Sequence, residues 1–316
     1  MPEQTGSLVA AEHRGGAVAI GNFDGVHRGH RAMIDRLVAG ARRAGHAAVV
    51  VTFDPHPLSL LRREQAPPPL TTIAHRTELL RGLGVDAVAV LPTTRELLHW
   101  TPAEFFERVV LGELQARCLV EGPNFCFGRD RTGNIEVLRG LCAAHGVALE
   151  VIEPVTIDGQ WVSSSAIRTL LLAGEVDSAV QMLGHPYRLS GRVVRGAVRG
   201  RTLGFPTANL DDCRTVIPGS GVYAGQCWAR DRSFAAAIHI GPNPTFAEHH
   251  GKVEVHLLDF SGDLYGQWLH VDLLARIRGV QRFASLDALR QQLAEDVECV
   301  RRLCGSSAAT GPTATS

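Results

Sequence analysis

Apolar residues in the first half of the chain fall in short, nearly continuous runs, and between those runs the apolar positions recur with helical spacing. Residues 17–22 read as a buried strand, and 29–45 as a helix with Ala32, Met33, Leu37 and Ala41 along one face. The β-branched run 47–53 predicts a second strand, 75–83 a helix and 85–91 a third strand. A helix over 102–112 opens with Thr101 as N-cap and Pro102 at its first position. Strand 117–121, a Gly-rich loop, helix 134–145, strand 147–152 and helices over 164–182 continue the alternation. Continuous apolar strands alternating with helices predict an α/β domain with a parallel sheet covered on both faces. Ligands are expected beyond the strand C-termini, where Gly21–His30 falls.

From about residue 187 the texture changes. Val-rich runs near 187–198, 221–230, 234–240, 253–260 and 268–277 are separated by Gly and Pro turns. They read as an antiparallel barrel, closed by an amphipathic helix at about 285–303. The change divides the chain near Gly184-His185-Pro186 into domains 1–184 and 185–304. The tail, 305–316, lacks large apolar groups and is expected to be disordered. Pro67-Pro68-Pro69 marks a surface loop.

Composition then excludes several classes. The chain has 316 residues, 45% hydrophobic and 20% charged, enough for two cores. Lys+Arg and Asp+Glu both number 32, so the basic excess of a nucleic-acid-binding protein is missing. The seven Cys are odd in number and form no CxxC pair, which argues against a disulfide framework or a zinc site and fits a reducing cytosol. The N-terminal residues do not read as a signal peptide, and no apolar run reaches the ~18 residues of a membrane span. A cytoplasmic protein without a nucleic-acid partner is expected, with homo-oligomer formation left open.

Two phosphate-chemistry signatures stand out. In the first, Gly21-Asn22-Phe23-Asp24-Gly25-Val26-His27-Arg28-Gly29-His30 joins a strand to a helix N-terminus. Free backbone N–H groups and the helix dipole favour an anion there, and Gly29 permits its close approach. His27 and His30 can turn to one side and stabilise charge as pyrophosphate leaves, while Asp24 can cap the turn. Ser163-Ser164-Ser165-Ala166-Ile167-Arg168 stands at a helix start, where hydroxyls and a guanidinium can hold a triphosphate or simply cap the helix. In the loop Gly122–Gly128, Asn124 can read a nucleotide edge; Phe125 and Phe127 suit core packing as well as stacking. Thr52–Pro57 also follows a strand and can wall the same cleft, with His56 either in the cleft or on an exposed loop.

The second signature is Gly200-Arg201-Thr202-Leu203-Gly204-Phe205-Pro206-Thr207-Ala208-Asn209-Leu210, which is not a Walker loop. Thr207 and Asn209 alternate on an extended segment, so both can face one side and offer oxygens to Mg²⁺. Arg192, Arg195, Arg199 and Arg201 lie in or beside the same Gly-rich stretch and suit phosphates. Downstream, Gly241-Pro242-Asn243-Pro244-Thr245-Phe246 forms a rigid turn. Glu254 sits in Val253-Glu254-Val255-His256-Leu257-Leu258, either as a general base for a primary hydroxyl or as an outward-facing strand carboxylate.

Together these motifs resemble the bifunctional prokaryotic riboflavin kinase/FAD synthetase family, over residues 17 to 303. The most specific element is GRTLGFPTANL, supported by PGSGVYAG at 218–225, GPNPTF and VEVHLLDF. The resemblance implies a Rossmann-like nucleotidyltransferase domain followed by a riboflavin kinase β-barrel with a terminal helix. It implies phosphorylation of riboflavin to FMN, then adenylylation of FMN to FAD, both with ATP and Mg²⁺. It puts adenylyl-transfer and ATP positions at Gly21, Phe23, Asp24, His27, Gly29, His30, Asn124, Ser164, Ser165 and Arg168. It puts kinase ATP positions at Arg199, Gly204, Thr207 and Asn209, the last two also as metal ligands, and the kinase base at Glu254. Asn243, Thr245 and Arg278 would lie by the flavin. The family pattern has Ser-Ser-Thr where this chain has Ser163-Ser164-Ser165, and Arg where it has Trp161. Loss of that guanidinium removes a charge-assisted contact of ~1.5–3 kcal/mol. Two rivals follow: a kinase with an altered N-terminal domain, and a flavin-binding regulator without turnover.

Overall fold

The run Ala17-Val18-Ala19-Ile20 forms the central strand of a five-stranded parallel sheet and is buried along its whole length. The computed structural model describes residues 7–61, 64, 66–196, 200, 203–230, 232–242 and 252–305. The strands are β1 (Ala17–Ile20), β2 (Ala48–Asp54), β3 (Ala87–Pro92), β4 (Cys118–Glu121) and β5 (Ala148–Val151), in the order β3-β2-β1-β4-β5. Successive side chains of a strand point to opposite faces, so each face receives its own core. Val18, Ile20, Val49 and Val51 pack with Phe105, Phe106, Val109 and Leu138. Ala17, Ala19 and Val50 pack with Met33, Ile34, Leu37 and Leu80. Each such buried side chain contributes ~1.5–3 kcal/mol, an upper estimate because the unfolded chain is itself partly collapsed.

The second face is covered by α1 (Arg28–Ala44), whose buried stripe is Met33, Ile34, Leu37, Val38 and Ala41, and by α3 (Ile73–Gly82). Helix α1 ends at Gly45, in the left-handed region at φ 66° where glycine carries no steric penalty. Two one-turn helices, α2 (Pro57–Leu61) and α4 (Arg95–His99), lie in the connections. The predicted helix 102–112 divides into α5 (Pro102–Phe105) and a π-helical segment, Phe106–Glu113. Thr101 and Glu104 close a reciprocal capping box around Pro102. Helix α6 (Ile135–His145) covers the first face. A short hairpin, β6 (Thr156–Ile157) and β7 (Gln160–Trp161), was not expected from the pattern, being only two residues a side. Because β1 continues to β2 and β4 to β5 on opposite sides, the sheet has its switch point between β1 and β4.

Packing resolves the described chain into two compact units, Met1–Pro67 with Thr71–Ser164, and Pro68–Leu70 with Ser165–Ser316. The second unit holds α7 (Ser164–Ala173) from Ser165 on, and α8 (Val176–Leu183); Gly174, at φ 79°, separates the two. Its centre is a closed antiparallel barrel of β8 (Tyr187–Val194), β9 (Ala208–Asp211), β10 (Gly221–Ala229), β11 (Arg232–Gly241), β12 (Lys252–Leu257) and β13 (Trp268–Arg278). The strand order is β10-β11-β12-β9-β8-β13. Strand β9 was read only as an extended segment, because four residues with Asn209 and Asp211 give a weak strand signal. Helix α9 (Leu286–Gly305) packs Val300 and Cys304 on Ala224 and Leu258. Of the tail 305–316, expected to be disordered, Gly305 is instead the last residue of α9, and 306–316 lie outside the described residues.

Helix α8 buries Val176, Ala179, Met182 and Leu183, and Asp177 accepts the Arg276 backbone N–H at 2.9 Å. A fragment starting at Pro186 therefore exposes barrel surface that a fragment starting at Ser165 keeps covered. The shorter fragment should be less stable by at least ~2 kcal/mol in urea denaturation. Equal midpoints and slopes for the two would mean that α8 adds nothing to the barrel.

Candidate active sites

At the end of β1, Gly21 donates its N–H to Val51 O at 3.0 Å, and the chain turns out of the sheet. Phe23 and Val26 take left-handed conformations at φ 48° and 40°, rare for such side chains, yet both are buried. A polar network holds them there. Oδ1 of Asp24 accepts from Thr71 N, Thr71 Oγ1 and Arg76 Nη2, each at 3.0 Å. Arg76 also donates to Thr52 Oγ1 at 3.2 Å and Thr71 Oγ1 at 3.3 Å. Thr52 Oγ1 donates to Asn22 O at 3.0 Å, and Gly25 N to Thr71 Oγ1 at 3.1 Å. Asp24 and Arg76 are both almost fully buried, with side chains 4% exposed. Asp24 is thus turned inward as the anchor of the turn, and Phe23 is a core residue beneath it.

His27 is the N-cap of α1; its Nδ1 accepts the His30 backbone N–H at 3.3 Å. The His27 and His30 rings stack with centroids 3.6 Å apart, and Phe23 meets His30 edge-on at 5.2 Å. A Cβ at Gly29 would stand 3.2 Å from the His27 ring, so the glycine lets the ring lie over the turn. Burial first, then the neighbouring His27 and Arg76, holds the His30 pKa well below the ordinary histidine value. His30 is therefore a neutral hydrogen-bonding group at neutral pH. Its Nδ1 and the Oδ1 of Asn22 are buried without a hydrogen-bond partner in the described structure.

Ser164 Oγ donates to Asp24 O at 2.8 Å, tying the start of α7 to this turn. Ser165 is exposed, and Arg168 donates from Nε to Pro68 O at 3.0 Å. Trp161 is 59% exposed at the end of β7. Asn124 is exposed in the loop after β4. Phe125 and Phe127 stack on each other at 5.3 Å and pack on the core, which decides for core packing over a stacking platform. His56 caps its own loop, accepting the Leu58 N–H at Nδ1, 3.1 Å. The Thr52–Thr71–Arg76 network was not legible in the sequence: Arg76 lies within a helical pattern that gives no sign of a buried charge.

In the barrel, register assembles the second site. Glu254 on β12 stands directly opposite Asn209 on β9 and His239 on β11, on the face that alternates with buried Val253 and Val255. It is an outward-facing strand residue that is nonetheless half-buried, its side chain 19% exposed and Oε2 3.9 Å from His239 Nδ1. Burial, then Arg278, lowers the His239 pKa, with Asp296 opposing. His239 was missed because a single histidine in an apolar strand gives no signal of its own. Thr207 enters β9 two residues before Asn209. A Cβ at Gly196 would lie 2.2 Å from the Asn209 amide nitrogen, so a larger residue here would have to displace the Asn209 side chain. A cleft of about 460 Å³ runs along Val194, Arg195, Gly196, Asn209, Asp211 and Lys252. Gly204, at φ 90°, turns the chain ahead of Phe205 and Pro206; Pro206 O lies 2.7 Å from His256 Nδ1. The Arg278 guanidinium is held by Asp296 at 2.7 Å, with Gln292 donating to the same carboxylate at 3.2 Å. Arg199, Asn243 and Thr245 lie outside the described residues.

A doubly wound sheet with a histidine-capped turn near its switch point, followed by a barrel that sets a carboxylate beside an amide, is the architecture of a two-domain, nucleotide-using transferase. Comparison makes this specific. The FAD synthetase family model matches residues 9–166 and the riboflavin kinase model residues 183–304. A bifunctional riboflavin kinase/FMN adenylyltransferase of Pseudomonas fluorescens is 40% identical over 298 residues, 94% of this chain and 96% of that protein. Its Escherichia coli K12 counterpart is 37% identical, over 95% of this chain and 96% of that protein. A crystal structure described as a macrolide-efflux protein from Streptococcus pneumoniae superposes with TM-score 0.81 at 32% identity, covering 91% of this chain and 94% of that one. Among the described residues, no helix of this chain is long and apolar enough to cross a membrane. The chain belongs to the bifunctional riboflavin kinase/FMN adenylyltransferase family.

Removing one partner of a buried ion pair leaves the other charge stranded. Arg76→Met should therefore destabilise the first unit by ~3–5 kcal/mol, read as an earlier denaturation transition, while the barrel transition stays in place. A variant as stable as the parent would remove the Asp24–Arg76 pair from its anchoring role.

Proposed function

We infer that this chain phosphorylates riboflavin to FMN in the barrel and adenylylates FMN to FAD in the parallel-sheet domain. The observation that carries the reading is the Glu254–Asn209 pairing in the barrel, in the same chain as the stacked His27–His30 turn. Two nucleotide sites of different design suit two successive reactions that share an intermediate.

In the kinase step the terminal ribityl hydroxyl attacks the γ-phosphorus of ATP and ADP leaves. The half-buried Glu254 carboxylate is suited to take the hydroxyl proton as the O–P bond forms. Thr207 and Asn209 offer a hydroxyl and an amide oxygen, hard neutral donors of the kind Mg²⁺ accepts beside phosphate and water. The Gly196 backbone pressed against Asn209 fits an amide held in place to bind such an ion. When bound, Mg²⁺ would neutralise phosphate charge. Among the described residues there is no cluster of three acidic, His or Cys side chains, so Thr207 and Asn209 are the protein groups that would hold the ion.

In the adenylyl step the FMN phosphate attacks the α-phosphorus of a second ATP and pyrophosphate departs. Backbone amides at the start of α1 receive the anion, and His27 and His30 donate hydrogen bonds to the charge that grows on the leaving oxygens. His30 does this as a neutral imidazole, so it need not be deprotonated again between turnovers.

All seven cysteines are free, and burial pushes the Cys142 thiol up to about 11 and Cys227 to about 12. Inert buried thiols support residence in a reducing cytoplasm. The rival of a kinase with an altered first site draws on Trp161, exposed where the family pattern has an Arg.

Incubation with riboflavin and Mg-ATP, followed by chromatography, should show FMN appearing first and FAD after it. Riboflavin turned over with no FAD even at long times would favour the kinase-only rival. Glu254→Gln should abolish riboflavin phosphorylation and leave adenylylation of added FMN intact; kinase turnover near that of the parent would exclude Glu254 as the base. His27→Ala or His30→Ala should lower kcat for adenylylation by ~10²–10³ with a smaller change in KM for ATP. Phosphorylation of riboflavin by these two variants should match the parent, and an equal loss in both reactions would place the damage in folding instead.

A further inference from the structure

Strands β1 and β4 pair for only two positions, Ala17↔Cys118 and Val18↔Leu119. Beyond them β1 continues its ladder with β2 as far as Ile20, and β4 continues with β5 as far as Glu121. The two strands part where the sheet switches direction, directly before the Gly21–His30 turn. Backbone N–H groups of a parallel strand alternate between its neighbours; Gly21 N reaches Val51 O on β2, so Ile20 N faces β4. Its partner is not a β4 carbonyl. It donates to Oε1 of the Glu121 side chain at 2.8 Å.

Glu121 is 1% exposed, and among the described residues no cation is paired with it. Burial favours the neutral acid and drives its pKa well above the ordinary carboxylate value, opposed by the Ile20 N–H, which favours the carboxylate. The titratable group facing it from the covering helix α6 is Cys142, whose thiol also stays neutral, and Cys118 lies on its own strand. A side chain inserted here satisfies the Ile20 N–H where the β1–β4 ladder has already ended at Val18↔Leu119. An apolar residue would strand that donor, and an ionised one would draw water into the floor of the crevice.

We propose that Glu121 is a positioning residue for adenylyl transfer, bridging β1 to β4 through the Ile20 N–H and so fixing the strand end that carries the His27–His30 turn. The proposal rests on the adenylyl-transfer reading of the first site. Because the folded protein favours the protonated form, this support is complete at pH below the unfolded carboxylate value and is lost as pH rises through the higher folded value.

The test uses the full-length protein with Glu121→Gln, which keeps the acceptor but cannot ionise, and Glu121→Val, which removes the acceptor. Glu121→Gln should match the parent in FMN adenylylation near neutral pH and hold that activity to higher pH. Glu121→Val should lose at least about tenfold in kcat for adenylylation, with KM for ATP moving less. Riboflavin phosphorylation, followed in the same samples, should have one alkaline limb for all three proteins. Hydrogen exchange over residues 20–30 supplies a readout that needs no turnover: opening beyond the intrinsic pH trend should appear in the parent and not in Glu121→Gln. Superimposable alkaline limbs and exchange for parent and Glu121→Gln, or parent-like adenylylation by Glu121→Val, would overturn the proposal. If the parent makes no FAD at all, the adenylyl-transfer reading fails, and the exchange comparison alone then decides whether Glu121 holds the turn.

Discussion

The Gly21–His30 turn depends on one buried ion pair. Asp24 and Arg76 leave water almost completely, and the cost of removing two charges from water generally cancels much of their attraction. What makes the pair worth keeping is its hydrogen bonding. Three donors converge on one Asp24 oxygen, and Arg76 reaches onward to Thr52 at the end of β2 and Thr71 ahead of α3. The network therefore ties a loop to a strand end and a helix entry at once. It must, because left-handed Phe23 and Val26 each store ~1–3 kcal/mol of strain that only an over-determined surrounding can hold. Apolar packing alone would be too undirected to fix a backbone whose N–H groups have to stay turned toward a ligand.

The barrel solves its positioning problem by another route. There, β-ladder register sets Asn209, Glu254 and His239 in a row across three strands, and the alternation of β12 gives Val253 and Val255 to the core. A slip of one residue would exchange the two sets. The face carrying Glu254 and the hydrophobic core are thus enforced by the same hydrogen bonds. The half-buried place of Glu254 follows: the ladder supplies neighbours on either side, and the strand's own valines hold it from below.

How much of this could be read from the residues depends on range. Local signals were legible: the fully buried β1, the Thr101-Pro102 start, the Val-rich strands, and Thr207 with Asn209 on one extended segment. The Gly21–His30 turn could be located because its glycines and histidines are adjacent in sequence. The partners of that turn could not. Arg76 lies 52 residues from Asp24, and Glu121 lies 101 residues from Ile20, so each reads locally as an ordinary helix or strand residue. Asp24 was expected to cap a turn, and it does so from the inside, toward Thr71 and Arg76. The Phe125–Phe127 ambiguity was settled by packing alone. The split of the 102–112 helix into α5 and a π-helical segment has no signature in an apolar periodicity that suits both forms.

The electrostatics of the first site follow from these long-range contacts. The charges of Asp24 and Arg76 cancel inside the fold, and His30 and Glu121 are both held toward their neutral forms by burial. Little net charge is left in the wall beneath the turn. On the proposed reading, anion binding there falls to backbone N–H groups, the α1 dipole and imidazole donors, His30 in its neutral form, which act at short range and in fixed directions. A point charge tolerates a shift of its partner because its attraction falls off slowly, whereas a hydrogen bond weakens steeply once its angle is lost. A site of this kind can release pyrophosphate without breaking a strong buried ion pair to it. It also needs its backbone held more rigidly than a lysine- or arginine-based site would. Buried polar supports, Thr71 and Arg76 from α3 and its entry, Thr52 from β2 and Glu121 from β4, supply that rigidity to the turn.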